Sequence, residues 1–179
     1  ADLVSFGMAP ALVMYHWALV WMKLDGTTMG KLGWLAAFLY AACAALRLAR
    51  FNSQVGQVDK RWFVGLASPA AAGLMASFVW TMHDLGLRGP DLRHAALAVT
   101  VAAGLLMVSR IRYNSFKGSG SGPKADRVPF FALLIVVVVL IALTIDPPKT
   151  LLATAMLYAL SGPLLWFRRR KLPPQEPVA

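Results

Sequence analysis

Six apolar runs separated by short polar stretches dominate this chain and leave it few folds. They cover residues 3–22, 32–47, 69–82, 95–108, 129–145 and 151–167. A helix needs about 20 apolar residues to cross a bilayer, so the third run is extended back to about residue 62. The second and fourth borrow snorkelling arginines at their ends. Backbone polar groups in lipid must be satisfied within a helix or a closed barrel, and unbroken apolar runs lack the alternation of barrel strands. The expected fold class is therefore all-α, a polytopic transmembrane helical bundle with six spans. Residues 135–139 are β-branched throughout, yet their surroundings assign them to a lipid-facing helix.

Charge supports the same count. The chain carries 18 Lys and Arg against 8 Asp and Glu, a net +10 that in a soluble protein would point to nucleic acid. With 58% apolar residues, anionic lipid and bilayer topology explain it better, and no nucleic-acid partner is expected. Lys and Arg following the six runs number 2, 4, 2, 5, 1 and 4, so one side collects 13 and the other 5. That alternation is the positive-inside pattern, and it places the start of the chain at the cytoplasmic face with Arg47, Arg50, Arg110 and Arg112. The expected location is the inner membrane with the active site facing the cytoplasm.

The remaining segments follow from composition. Residues 118–128 read as a flexible cytoplasmic loop, Pro147 and Pro148 as a tight outer turn, and residues 173–179 as a disordered tail after a membrane domain spanning 1–172. No basic stretch precedes the first apolar run as a secretory signal requires, and the chain opens on Ala1 at the lip of that run, which suggests a missing upstream part. The single cysteine, Cys43, cannot form an internal disulfide, which implies a reducing compartment or burial in lipid.

Polar residues gather where runs one, two and four meet the cytoplasmic boundary. Asp2 opens the first run, with Ser5 and Phe6 on its face; an acid there also suits a helix N-terminus. Arg47 and Arg50 share a face at the end of the second run. Positive-inside charge at a favourable helix C-terminus accounts for both, yet a charge inside the apolar register costs about 2.5–3.5 kcal/mol at the helix centre, less near the interface, which a phosphate or carboxylate site would justify. The stretch from Ser109 to Lys117 packs Arg110, Arg112 and Lys117 with Tyr113 and Asn114, fitting a polar headgroup or nucleotide site or simple anchoring. Ser68 reads as an N-cap with Pro69 at the first helical position. His16 reads as a packing residue, and His83 and His94 lack partners at metal spacing.

Four blocks taken in order carry a resemblance. Asp2 to Ala11, Leu46 to Asn52, Gly65 to Gly73 and Ser109 to Lys117 resemble the phosphatidylserine synthases of the CDP-alcohol phosphatidyltransferase family. That family's signature is D-x-x-D-G-x-x-A-R followed by G-x-x-x-D-x-x-x-D, and only its last aspartate is matched here, by Asp2. The resemblance implies further carboxylates upstream, about two more helices and so about eight spans in the intact protein. It implies a carboxylate cage for two divalent cations, Mg or Mn, with Asp2 as metal-site residue and as base for the serine hydroxyl. The activity implied is phosphatidyl transfer from CDP-diacylglycerol to L-serine, giving phosphatidylserine and CMP, by a protein that forms a homodimer. Arg47, Arg50, Arg110, Arg112 and Lys117 would bind the pyrophosphate or the serine carboxylate, while Ser5, Asn52, Ser68 and Tyr113 would contact or orient substrate. Ala67 stands where many relatives have proline. The present chain alone, lacking the rest of the cage, is expected to be inactive. Rival readings are a relative using glycerol phosphate or inositol phosphate as acceptor, a transporter fragment, and a structural membrane subunit.

Overall fold

A computed structural model describes residues 1–53, 62–109, 112–114 and 130–170. Among them the chain is helical apart from one short ribbon and the connecting turns. The first helix, α1, runs Val4–Asp25 in three parts: a π-turn over Val4–Met8, an α-helix over Ala9–Trp17 and a 3-10 stretch over Leu19–Asp25. Then follow α2 (Thr27–Ser53), α3 (Ser68–Asp84), α4 (Arg93–Val108), α5 (Phe130–Ile145) and α6 (Pro147–Arg170). Each falls on one of the six apolar runs. α1 and α2 are long and apolar enough to cross a membrane, whereas α4 is a shorter apolar helix.

Small residues let these helices pack closely. Ala36 and Ala44 on α2, Ala71 on α3 and Ala96 and Ala103 on α4 are buried, and Tyr40, Met14, Met75 and Met107 fill the space between them. α2 packs against α4 and the 3-10 part of α1, α3 packs against α6, and α5 lies against α6. Large apolar side chains on the outer faces, such as Trp34, Phe38, Val136 and Leu140, are exposed.

The third helix corrects two sequence expectations. It does not reach back to residue 62, because Trp62–Val64 is an extended strand, β1, paired antiparallel with β2 (Arg112–Asn114). Gly65 then takes φ +82°, a left-handed conformation through which a helix does not propagate, and a Cβ there would stand 2.4 Å from the Met107 carbonyl oxygen. Nor is Ser68 the N-cap. Ala67, with φ −61° and ψ 135°, holds that position without a side-chain hydrogen bond, and Ser68 lies inside the first turn beside Pro69. Proline is tolerated there because its missing N–H is one the first turn leaves unpaired anyway. Likewise Pro147 opens α6, leaving Asp146 alone between α5 and α6. Lys149 donates to the Asp146 carboxylate at 2.5 Å and holds it below the usual carboxylate range. The expectations for residues 118–128 and 173–179 lie outside the described residues.

At the far end of α1 the Arg93 guanidinium grips Asp25 with two bonds, Nε to Oδ2 at 2.5 Å and Nη2 to Oδ1 at 2.6 Å. This ties the end of α1 to the beginning of α4. The other ends of these helices meet at the pocket described next.

Candidate functional site

The up-and-down course of the first four helices brings four termini together: the start of α1, the end of α2, the start of α3 and the end of α4. A cavity of about 230 Å³ opens between the first three. α1 contributes Asp2, Leu3 and Phe6; α2 contributes Ala44, Arg47, Leu48 and Phe51; Ala67, Ser68 and Pro69 come from the start of α3. Among the described residues the lining is mostly apolar, with Asp2, Arg47 and Ser68 as its polar members. An acid and a base therefore share a pocket with an apolar surround, suited to a ligand that carries both a charged head and hydrocarbon.

Arg47 has a second task. Its Nη1 donates to the Leu66 carbonyl and, at 3.5 Å, to the Met107 carbonyl. The Leu66 amide in turn donates to the Leu106 carbonyl at 3.0 Å. The guanidinium thus holds the last turn of α4 and the chain entering α3 against α2, satisfying the Met107 carbonyl that the end of α4 leaves open and the Leu66 carbonyl just before α3. Half-buried within α2, it both lines the cavity and fixes the segment that carries Ser68.

The turn bearing Asp2 is shaped by Pro10. A proline has no N–H and crowds the carbonyl four residues earlier, here that of Phe6. The helix widens into the π-turn, closed by the Ala9 amide donating to the Val4 carbonyl, and the fully buried Tyr40 hydroxyl donates to the Phe6 carbonyl at 3.0 Å. Close approach of the two helices makes this reach possible: a Cβ on Gly7 would stand 3.0 Å from the Ala44 Cβ.

Comparison with known proteins fits this geometry. No protein-family model matches the chain. The CDP-diacylglycerol–serine O-phosphatidyltransferase of Helicobacter pylori strain 26695 is 31% identical over 167 residues, 93% of this chain and 64% of that protein. The enzyme of the same name from Methanocaldococcus jannaschii is 30% identical over 168 residues, 94% of this chain and 67% of its own length. The chain belongs to this family. It spans just under two thirds of the Helicobacter relative it matches. A third relative of the same name, from Bacillus subtilis, is 31% identical over 118 residues, 65% of this chain and 56% of its own.

In this member of the family the residues singled out from sequence divide into three groups. Asp2, Arg47 and Ser68 meet in the cavity. Ser5 and Asn52 are exposed near it without lining it, and Arg50 is half-buried one turn beyond Arg47. Arg110 and Lys117 lie outside the described residues; Arg112 and Tyr113 belong to β2, opposite Val64 and Phe63. Sequence reasoning missed Tyr40 and the carbonyls of Leu66 and Met107. Pro10, four residues after Phe6, was the available signal for the first; backbone carbonyls give none.

Among the described residues no group of three or more His, Cys, Asp or Glu side chains could hold a metal ion. Asp2 is the one carboxylate among the described residues that line the cavity, and hard divalent cations take six or more oxygen ligands. The described residues by themselves do not form the carboxylate cage that the resemblance implies.

Proposed function

We propose that the intact protein transfers the phosphatidyl group of CDP-diacylglycerol to the hydroxyl of L-serine, releasing CMP and forming phosphatidylserine. The observation that carries this reading is the likeness to phosphatidyltransferases of that name over nearly the whole chain. The pocket agrees with it. In the proposed reaction Asp2 takes the serine hydroxyl proton as the serine oxygen bonds to the phosphatidyl phosphorus. The bond from that phosphorus to the CMP oxygen breaks, and CMP leaves with the electron pair. Arg47 offers a guanidinium to the pyrophosphate or the serine carboxylate. Arg50, Arg110, Arg112 and Lys117 add positive charge at the same boundary, and Ser5, Asn52, Ser68 and Tyr113 orient the acceptor. A divalent cation, Mg or Mn, neutralises charge on the pyrophosphate when bound, and it needs carboxylates beyond Asp2.

The setting proposed is a membrane. α1 and α2 have the length and apolar character of spans, and the exposed valines and leucines of α5 suit lipid. We take all six helices as spans of one polytopic domain over residues 1–172, with the pocket on the cytoplasmic side of the inner membrane and two copies forming a dimer.

The test is a transfer assay on the full-length protein in mixed micelles with CDP-diacylglycerol, serine and Mg or Mn. Serine-dependent CMP release is expected, falling about 10²–10⁴-fold in Asp2→Asn, the usual contribution of a general base. Release of CMP without serine, or to glycerol phosphate in its place, would reject serine as the acceptor.

A further inference from the structure

Asp2 stands just before a π-turn that has a proline after it and a tyrosine bonded to it. In a regular α-helix the Phe6 carbonyl would accept from the amide of residue 10, which is Pro10 and has none to give. Left alone in an apolar surround, that carbonyl would be costly. The π-turn over Val4–Met8 and the Tyr40 hydroxyl, 3.0 Å from the Phe6 oxygen, supply the solution.

The turn has a rotational consequence. A π-turn holds one residue more than an α-turn, so whatever precedes it is rotated by roughly 100° relative to the helix that follows. Pro10, Ala11 and Met14 are buried on the packed face of α1. Position 2 lies twelve residues before Met14, so in a regular helix it would sit about 120° from that face. The π-turn reduces the offset to roughly 20°, which brings Asp2 round towards α2 and α3, where it lines the open cavity while staying exposed.

We propose that Tyr40 is a positioning residue for Asp2: its bond to the Phe6 carbonyl, made necessary by Pro10, locks the π-turn that aims the carboxylate into the pocket. This rests on the reading of Asp2 as the proton acceptor for the serine hydroxyl. It assigns a function to a buried side chain that touches no substrate, and to a proline that would otherwise be a simple helix-start residue.

Two variants of the full-length protein separate positioning from plain stability. Pro10→Ala gives residue 10 an amide for the Phe6 carbonyl and lets the helix return to regular register; Tyr40→Phe removes the hydroxyl alone. With positioning, Pro10→Ala unfolds at an equal or higher temperature, yet its kcat falls about 100-fold while KM for CDP-diacylglycerol stays within about two-fold. Tyr40→Phe lowers kcat in the same sense. Pro10→Ala with full kcat would overturn the proposal. A second readout needs no turnover: in a Cys43→Ser background, cysteines at positions 2 and 68 are treated with a short bifunctional thiol reagent. They cross-link when Pro10 is present and lose the cross-link with Pro10→Ala; a cross-link that persists also overturns the proposal. Should the parent protein release no CMP, the proposed function fails, and the cross-linking pair still decides the geometry.

Discussion

Arg47 shows how one side chain can serve structure and chemistry together. Its guanidinium spans the gap between α2 and two backbone carbonyls from different segments, those of Leu66 and Met107. Hydrogen bonds to a charged group contribute about 1.5–3 kcal/mol, so Arg47→Ala should destabilise the protein by about that amount and loosen the start of α3. Arg47→Lys keeps the charge but not the planar fork, and should recover only part of the loss. Thermal unfolding in detergent, with hydrogen exchange at residues 65–72, checks both. A change in substrate affinity with neither effect would mean that the carbonyl contacts are unimportant. The meeting of Asp2 with Arg47 at one boundary was legible in the alternation of basic counts between apolar runs. The carbonyls that Arg47 holds were not, since every residue carries one and nothing in the side-chain pattern marks which will be used.

The elements divide along the same line between pattern and geometry. Six apolar runs predicted six helices because burying or lipidating a continuous apolar surface is the strongest signal a chain can send, and α1 through α6 fall on them in order. Their ends were less legible. α3 starts six residues later than the extension to residue 62 assumed, because Gly65 adopts a left-handed conformation pressed against α4 and the chain before it pairs as β1 with β2. Hydropathy does not record a glycine's φ. Gly65→Ala should therefore be costly: left-handed backbone alone disfavours alanine by about 1–2 kcal/mol, and the added methyl meets the Met107 carbonyl. A melting temperature equal to the parent's would show that the turn can relax. The π-turn of α1 was equally hidden, although its cause, Pro10, stands in plain view.

At the scale of the whole molecule, α1 is anchored at both tips: Tyr40 of α2 holds it near the pocket, and Arg93 of α4 holds it at the opposite end. Two such contacts restrain how this helix tilts. Under the proposed function, admitting a two-tailed lipid would have to part α3 and α6 from the frame of α1, α2 and α4, at the cost of the Arg47 contact that holds the start of α3. Joining positions 25 and 93 through introduced cysteines and a thiol cross-linker, in a Cys43→Ser background, should accordingly leave phosphatidyl transfer intact. Tethering α3 to α1 should slow it, and inhibition by the first tether but not the second would reverse the assignment. Under that reading the frame would serve as a fixed jamb, with the third helix, the sixth on its back, as the door.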